Sequence, residues 1–324
     1  MYLTEGKRRS LGPLTISGLI HAAGFVTGLC SLFGFFGTFS WWLDLFAHFR
    51  IQYTAIFLAL SLLTLVLKRH PACWIYAGFL VLNLFQMMPF YVGKNSSEPE
   101  GKVYRLMLFN VLSSNDAYQA TIDFIREKSP DLIVLLEVTP AWRKELGVLV
   151  EDWPYHRQEA RNDNFGIGFY SRIEPESLEI VYFSYQGLPS IGAVVPLGDT
   201  DLTVLGAHPV PPLGDRWSRL QNDQLGAFAA YMNAQHGPKL LAGDLNNTPW
   251  ASGFQRLVQE TNLRNASQGR GIHASFPSRL GRFGMPIDHV LHSPEVVIHD
   301  KTIGPWLGSD HRAVVIDFSL ATGR

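Results

Sequence analysis

The stretch Lys239-Leu240-Leu241-Ala242-Gly243-Asp244-Leu245-Asn246 joins a short apolar strand to two polar residues at its end. Gly243 permits a close backbone approach, and Asp244 and Asn246 lie two residues apart, so they can reach the same side. In-line displacement at phosphorus needs a carboxylate to orient or deprotonate water and a neutral donor to hold the phosphoryl group. The motif alone is also compatible with an Asx-turn, in which the aspartate only accepts from nearby backbone.

Five other short motifs place a polar residue next to an apolar run. They are Phe109-Asn110-Val111, Leu136-Glu137-Val138, Ala207-His208-Pro209, Ile287-Asp288-His289 and Ser309-Asp310-His311. An apolar strand with a polar residue at its tip is how α/β scaffolds present chemistry at one edge of a sheet. The six tips supply carboxylates, asparagines and histidines, which are the ingredients of a divalent-metal phosphoesterase site.

Two of these tips are candidates for metal binding. Glu137 follows five consecutive aliphatic residues and is expected near the sheet edge, where an unpaired charge is costly. A hard cation such as Mg²⁺ is a natural partner for that carboxylate. Asn110 ends the preceding predicted strand, and its amide can face a metal ligand set or a phosphate oxygen. The alternatives are a solvated loop residue or helix cap for Glu137 and a turn residue for Asn110.

Histidines provide the remaining candidates. An imidazole that activates a nucleophile or stabilises transition-state charge benefits from a carboxylate that fixes its tautomer, and Asp288 and His311 fit these roles. Asp310 would point away from His311 in an extended chain, toward the metal. His208 can polarise or protonate a phosphate oxygen, with a buried structural histidine as the alternative.

The C-terminal part of the chain has the sequence pattern of an α/β domain. From residue 102 onward, short strands alternate with helices, and about ten strands with three or more helices predict two packed sheets flanked by helices. Seven of the 27 basic and four of the 28 acidic residues lie in the first hundred, which leaves 20 basic and 24 acidic residues for 101–324. This acidic balance argues against a protein that grips long nucleic acid by its phosphates. Both cysteines, Cys30 and Cys73, precede this part, so thiolate zinc sites and disulfides within it are excluded.

The first hundred residues resemble a membrane domain. Residues 10–43, 51–67 and 70–93 contain no Asp, Glu, Lys or Arg, and a span needs ~20 apolar residues, with a range of ~17–25. A signal peptide explains only the first stretch, and a buried helical core is the other alternative. Basic residues precede the first span and also lie between the second and third spans. Because basic loops favour the cytoplasmic side, they place the N-terminus and this connection in the cytoplasm. We therefore predict a membrane domain over 1–93 with three transmembrane helices, a linker over 94–101 and a catalytic domain over 102–324 outside the cytoplasm. Two spans would instead return that domain to the cytoplasm.

The ordered set of polar tips in 101–324 resembles the endonuclease/exonuclease/phosphatase superfamily. The resemblance implies a four-layer α/β sandwich, with two mostly antiparallel sheets flanked by helices, and a phosphoesterase that depends on Mg²⁺ or Mn²⁺. It implies that Glu137 binds the metal with Asn110 and Asp310, and that Asp244 orients the attacking water. The other implied roles are phosphate binding by Asn246, orientation of His311 by Asp288, and charge stabilisation by His208 and His311.

Some features depart from the family's usual motifs, and others indicate which branch of the family the chain resembles. The glutamine that commonly precedes the metal glutamate is Leu136 here, and His208 stands where abasic-site endonucleases have tyrosine. The three predicted spans resemble the membrane-anchored bacterial branch, which implies a lipid-linked pyrophosphate by analogy alone.

The stretch 261–287 has no acidic residue and contains Arg270, Arg279 and Arg282, which we predict to bind substrate phosphate. A solvated surface loop is the alternative for this stretch.

Three functions follow from these interpretations. The first is an integral membrane phosphohydrolase of the inner or plasma membrane that faces outward and acts on a phosphoester or pyrophosphate, including lipid-linked substrates. The second is an extracytoplasmic DNA or RNA endonuclease that the anchor merely retains. The third is a catalytically inactive membrane module that uses the fold for binding. The full set of polar tips disfavours the third.

Overall fold

The computed structural model describes residues 15–93 and 101–321. The basic cluster Lys7-Arg8-Arg9 and residues 94–100 of the predicted linker lie outside the described residues. The N-terminal part consists of helices α1 (Ile16–Phe33), α2 (Trp41–Asp44), α3 (Arg50–Val66) and α4 (His70–Met87).

The three long N-terminal helices pack side by side. Tyr53, Phe57 and Leu60 of α3 form a buried cluster with Ile20 of α1 and Tyr76 of α4. Gly24 of α1 permits this close approach, because a Cβ there would lie 2.3 Å from the Tyr76 ring. The helices have similar lengths of 18, 17 and 18 residues, and the chain reverses direction between successive helices.

Two segments of this bundle are long and apolar enough to cross a membrane. They are Trp41–Val66 and His70–Phe90, and the apolar helix Ser17–Phe33 is shorter. Only 39% and 22% of the apolar windows in the two longer segments are buried, unlike the core helices of a soluble protein. Because the apolar helix Ser17–Phe33 is shorter than these two segments, three transmembrane helices are not confirmed and stay a prediction.

The C-terminal part contains two six-stranded sheets. The first has the strand order β11-β12-β1-β2-β4-β3 and the second β5-β6-β7-β8-β10-β9. The strands are β1 (Tyr104–Asn110), β2 (Leu132–Leu136), β3 (Tyr155–Glu159), β4 (Ile167–Ser171), β5 (Ser177–Tyr182), β6 (Pro189–Leu197), β7 (Thr200–Ala207), β8 (Lys239–Asp244), β9 (Arg264–Asn265), β10 (Asp288–His292), β11 (Val296–Ile303) and β12 (Val314–Leu320). Among the strands of the described residues, only the pairs β1–β2 and β7–β8 are parallel, so the predicted pair of mostly antiparallel sheets is confirmed.

Helices cover the outer face of each sheet. They are α5 (Tyr118–Lys128), α6 (Pro140–Glu145), α7 (Asp215–Ala234) and α8 (Ser252–Thr261). Alternate residues of β1 show why the layers form: Leu106 and Leu108 enter the core between the sheets, whereas Met107 and Phe109 pack with α5 and α6. Leu241 of the second sheet packs in the same way under α7 and α8. The result is a sandwich of helices, sheet, sheet and helices.

Two elements differ from the sequence-based expectation. Strand β3 was not predicted, because its polar sequence shows no apolar alternation. It is an edge strand whose side chains are half-buried or exposed. Helix α8 follows the Asp244 motif directly and was not predicted. Most of its residues are polar, and its buried face is formed by Phe254 and Leu257.

Candidate active site

The predicted polar tips meet at one edge of the sandwich because they continue the inward alternation of their strands. Asn110 follows the inward residues of β1, and Asp244 follows Leu240 and Ala242, which also face the core between the sheets. Asp288 begins β10 directly opposite Asp244 in the antiparallel register. His208 lies just beyond the end of β7, which is parallel to β8. All four side chains are buried.

Asp244 is the centre of this cluster and is only 2% exposed. Its Oδ2 atom lies 3.5 Å from Nε2 of His208, 3.5 Å from Nε2 of His311 and 3.2 Å from Nδ2 of Asn110, which donates to it. Its Oδ1 atom accepts a hydrogen bond of 2.9 Å from the backbone N–H of Asn246. The carboxylate is thus surrounded by donors and by imidazoles.

His311 is held in one orientation by two partners. Its Nδ1 atom lies 2.8 Å from Oδ2 of Asp288, and its backbone N–H donates to Ser309 Oγ at 3.0 Å. Ser309 in turn donates to the backbone oxygen of Asn110 at 2.8 Å, which ties the segment before β12 to the end of β1. The Nε2 atom of His311 is therefore directed toward Asp244.

Charges in this cluster shift the pKa values of its members. Burial alone would lower the pKa of His311, but the carboxylates of Asp288 and Asp244 outweigh it and raise that pKa to about 10. Burial would also lower the pKa of His208, which Asp244 instead raises. Burial alone would raise the pKa of Asp244, yet the two histidines lower it to about 2. At neutral pH the cluster therefore holds an ionised Asp244 beside a protonated His311, and Asp244 also raises the pKa of His208.

Glu137 lies beside this cluster in a left-handed backbone conformation, with φ of 62°. This conformation turns its side chain away from the helix layer, where strand alternation alone would put it. Its Oε1 atom accepts from Asn110 Nδ2 at 3.0 Å, and Oε2 accepts from both the N–H and the hydroxyl of Ser113 at 2.9 Å. Asn110 thus bridges Glu137 and Asp244.

The carboxylates of Glu137 and Asp310 are oxygen donors of the kind that a hard divalent cation prefers. Asn110 directs its Nδ2 toward Glu137, while its Oδ1 accepts from the N–H of Leu112 at 3.1 Å. Oδ1 of Asp310 is buried and has no hydrogen-bond partner among the described residues. Burial raises the pKa of Asp310 and the negative charge of Glu137 raises it further, while His311 opposes both. A cation beside these carboxylates would relieve this repulsion. Asp244, Asp288 and His311 also have ligand atoms within 4.8 Å of one another, and the His311 ring lies between the two carboxylates, 3.5 Å from Asp244 and 2.8 Å from Asp288.

A cavity of about 580 Å³ opens above the cluster. Glu137, Asp244, Asn246 and the two histidines lie along it, and its remaining walls are largely apolar. The apolar wall residues are Phe165, Pro211, Leu213, Trp217 and Phe276. The Phe276 ring lies 4.8 Å from the His311 ring, and Phe165 lies 5.4 Å from the His208 ring. Among the described residues that line this cavity there is no lysine or arginine.

The three arginines predicted to bind substrate are not brought to this cavity. The Arg270 guanidinium donates to the backbone oxygens of Gln268 and Ile298, and it lines a separate cavity. Arg279 and Arg282 are exposed in the turn over Ser278–Phe283, outside the cavity wall. Within the loop between α8 and β10, Phe276 lines the cavity but these three arginines do not, so their role in substrate binding stays a prediction.

Sequence reasoning also missed several residues of the site. Ser113 lies three positions after Asn110, and its hydroxyl donates to Glu137. The only indication of this role in the sequence is a polar residue soon after the end of the predicted strand. Phe165, Leu213 and Trp217 form the apolar wall but come from segments without a distinctive pattern. His289 and His292 follow Asp288 in β10 and are both buried.

Comparison with known protein families identifies the group to which this geometry belongs. The sequence profile described as "Endonuclease/Exonuclease/phosphatase family" matches residues 107–311, more than half of the chain. The chain belongs to this family. The predicted resemblance is thereby confirmed, and the family consists of divalent-metal-dependent enzymes that hydrolyse phosphoester bonds. A comparison with curated proteins finds no match.

Solved structures share the fold of this family member. A protein from Bacteroides vulgatus, described as an endonuclease/exonuclease/phosphatase, is 15% identical with a TM-score of 0.57, over 68% of this chain and 100% of its own. D. rerio TDP2, complexed with a single-strand DNA product, is 14% identical with a TM-score of 0.56, over 68% and 100%. The human Nocturnin catalytic domain, with a bound sulfate anion, is 15% identical with a TM-score of 0.53, over 68% and 95%. At these identities the similarity shows the fold alone.

Proposed function

We propose that this protein is a membrane-anchored phosphohydrolase that cleaves a phosphoester or pyrophosphate bond of a substrate held in the bilayer. The observation that carries the proposal is the position of Asp244, between two histidines at the base of a cavity with apolar walls. The cluster supplies the chemistry of hydrolysis, and the cavity wall favours an amphiphilic substrate.

The roles of the residues follow from their charges and contacts. Asp244 is ionised and orients the attacking water, while Asn246 holds the phosphoryl group by its side-chain amide. His208 and His311, whose pKa values the neighbouring carboxylates raise, stabilise the negative charge that develops on the phosphoryl oxygens as the bond to the leaving oxygen breaks. Glu137 and Asp310, with Asn110, would hold a divalent cation, which we propose to be Mg²⁺ or Mn²⁺ and which would supply Lewis-acid charge.

The N-terminal helices support the membrane part of the proposal. Large apolar side chains on all three helices face outward, such as Phe25 at 67% exposure, Val66 at 76% and Trp74 at 76%. An 18-residue helix is about 27 Å long, close to the ~30 Å hydrocarbon core of a bilayer. Because α1 matches α3 and α4 in length and packs against both, we propose that all three helices cross together.

The arrangement of the helix ends supports an outward-facing catalytic domain. The chain between α1 and α3 and the end of α4 both contact the C-terminal domain, through Asp44 with Ser252 and through Gln86 with Trp250. The turn containing Lys68 and Arg69 connects the opposite ends of α3 and α4. A basic turn belongs in the cytoplasm, so the domain at the other end of the bundle lies outside it.

The proposed substrate class is based on the apolar cavity wall and on the loop that connects this wall with the N-terminal helices. Phe276 lines the cavity, and the same loop continues to Phe283, whose backbone oxygen accepts a 2.6 Å hydrogen bond from Gln52 in the first turn of α3. Leu280 and Phe283 are 53% and 59% exposed at this level. A loop that leads from the bundle surface to His311 suits the apolar chain of a membrane-borne phosphate compound. The absence of cations from the described cavity wall disfavours an extended nucleic-acid substrate.

A nuclease is the second candidate because a structural neighbour, D. rerio TDP2, was solved with a single-strand DNA product. The experiment that separates the candidates offers full-length protein in vesicles a panel of polyprenyl pyrophosphate, sphingomyelin and plasmid DNA, with Mg²⁺ or Mn²⁺. We expect chelator-sensitive release of a phosphate product from a vesicle-borne lipid. Nicked plasmid beside untouched lipids would favour the nuclease. A complete lack of turnover would favour the inactive module.

A further inference from the structure

The loop that follows Asp244 is held in place by the N-terminal region. The backbone N–H of Thr248 donates to Nδ1 of His48 at 3.3 Å. The N–H and hydroxyl of Ser252 donate to the two carboxylate oxygens of Asp44, at 2.8 and 2.9 Å. His48 is only 8% exposed, so its contact with Thr248 is shielded from water and is stronger than a surface hydrogen bond, whereas Asp44 and Ser252 are half-buried.

Asp44 acts as the N-terminal cap of α8 although it lies 208 residues away from Ser252 in the chain. The residue before α8 is Ala251, which has no side-chain acceptor, and α8 has no acidic residue in its first turn. The first N–H groups of a helix need an acceptor, and a carboxylate there is also favoured by the helix dipole. The start of α8 therefore depends on a residue of the N-terminal region.

Apolar packing joins the same two regions. Trp250 is 6% exposed and packs in a cluster with Ala47, Met87 and Phe90, and its indole Nε1 donates to the backbone oxygen of Gln86 at 3.0 Å. The rings of Phe90 and Trp250 lie 6.0 Å apart. A buried tryptophan in this position fixes the middle of the loop.

The strained residue of the loop is Asn246, which is placed in the active site. It has a left-handed φ of 51°, a conformation that persists in a non-glycine residue only when its surroundings enforce it. On one side the loop is held by His289, whose Nε2 lies 2.8 Å from the Asn247 oxygen, and by the Asn246 amide, which donates to Pro209 O at 3.0 Å. On the other side it is held by His48 and Asp44.

We propose that His48 and Asp44 are positioning residues of the active site: they fix the loop over 246–252 so that Asn246 is presented to the phosphoryl group. The N-terminal helices would then complete the catalytic domain as well as anchor it. This inference rests on the site assigned in the proposed function but does not depend on whether the helices cross a membrane. Neither residue contacts the cavity cluster, so both act through the loop.

The first test measures the loop directly and does not require activity. Amide hydrogen exchange is followed in full-length wild type, His48→Ala and His48→Asn, since the Asn Oδ1 can replace Nδ1 as acceptor. We expect exchange over 246–252 to be at least about tenfold faster in His48→Ala and near the wild-type rate in His48→Asn, with β2 unchanged in both. Unchanged exchange over 246–252 in His48→Ala would overturn the proposal.

The second test uses hydrolysis of bis(p-nitrophenyl) phosphate as a probe. We expect His48→Ala and Asp44→Ala to lower kcat about 10- to 100-fold with a smaller change in KM, and His48→Asn and Asp44→Asn to restore most of it. Because His48 acts through Asn246, the double variant His48→Ala/Asn246→Ala should be no slower than Asn246→Ala alone. Losses that multiply in the double variant would overturn the proposal. Failure of the wild type to hydrolyse any phosphate compound would count against the proposed function, while the exchange result would still decide this inference.

Discussion

Nδ1 of His311 lies 2.8 Å from Oδ2 of Asp288, so a carboxylate in the second sheet sets the orientation of an imidazole that precedes a strand of the first. The contact joins the two halves of the sandwich across the active site. It leaves Nε2 of His311 directed toward Asp244 and favours the protonated ring.

Replacement of Asp288 by asparagine should disable the site with little loss of structure. Without the carboxylate, the His311 ring loses its fixed orientation and part of its proton affinity, so we expect kcat to fall about 10²- to 10⁴-fold. The measurement is steady-state turnover of Asp288→Asn, with Asp199→Asn in an exposed loop as the matched control. Turnover by Asp288→Asn within about twofold of wild type would contradict this role.

The proposed metal ligands should show opposite effects on stability and on metal binding. Burial, together with the charge of Glu137, disfavours an ionised Asp310 more than His311 favours it, so we expect Asp310→Asn to raise the thermal midpoint of the metal-free protein. The same variant and Glu137→Gln should weaken Mn²⁺ binding by at least about tenfold. Titration calorimetry with Mn²⁺ checks the affinity, and scanning fluorimetry checks the midpoint.

Exposed Glu151→Gln is the control for these variants. Unaltered Mn²⁺ affinity in Glu137→Gln would show that the metal binds elsewhere.

The exposed loop beside α3 should matter only for substrates in a bilayer. Leu280→Asp and Phe283→Asp place charge where we propose contact with lipid, so we expect turnover of a vesicle-borne substrate to fall about tenfold or more. Turnover of soluble bis(p-nitrophenyl) phosphate should stay unchanged. Val148→Asp, at an apolar side chain that is 48% exposed elsewhere on the domain, is the control. Equal losses on both substrates would indicate damage to the site instead of loss of lipid contact.

Acid should destabilise the protein partly through His289. Burial, with a further contribution from Lys301, lowers the pKa of His289 to about 3, below the ordinary value of 6.5. A group with a lowered folded-state pKa contributes stability that is present above 6.5 and is lost as the pH falls toward 3. This amounts to on the order of 3–5 kcal/mol, at about 1.4 kcal/mol per pKa unit.

The thermal midpoint of wild type should therefore fall more steeply with acid than that of His289→Gln. The exposed His236→Gln serves as the control and should follow wild type. Parallel curves for wild type and His289→Gln would show that His289 is not the group responsible.

Much of the site was predictable because its residues extend strands whose pattern is visible in the sequence. Alternating buried residues lead to Asn110, Asp244 and Asp288 on the inward side, so these side chains meet between the sheets. Glu137 is the exception, since only its left-handed backbone turns it toward the others, and alternation contains no signal for that turn. The sequence order of the motifs identified it instead.

The remaining features depend on long-range packing that local patterns do not encode. Arg270 looked like a phosphate ligand because the stretch around it has no acidic residue, yet its guanidinium satisfies backbone oxygens in a different cavity. Asp44 and His48 lie between the first two predicted spans, and their contacts with Ser252 and Thr248 span 208 and 200 residues. Such pairings arise only when the two regions fold against each other.

The central claim is that Asp244 directs water to phosphorus in a membrane-borne substrate. The most direct test follows full-length wild type and Asp244→Asn with vesicle-borne polyprenyl pyrophosphate in ¹⁸O-labelled water and Mg²⁺. We predict that wild type releases phosphate carrying one ¹⁸O atom from the solvent, and that this release is lost with chelator and reduced at least about 10³-fold in Asp244→Asn. Unlabelled product, or labelled product formed at the same rate by Asp244→Asn, would contradict it.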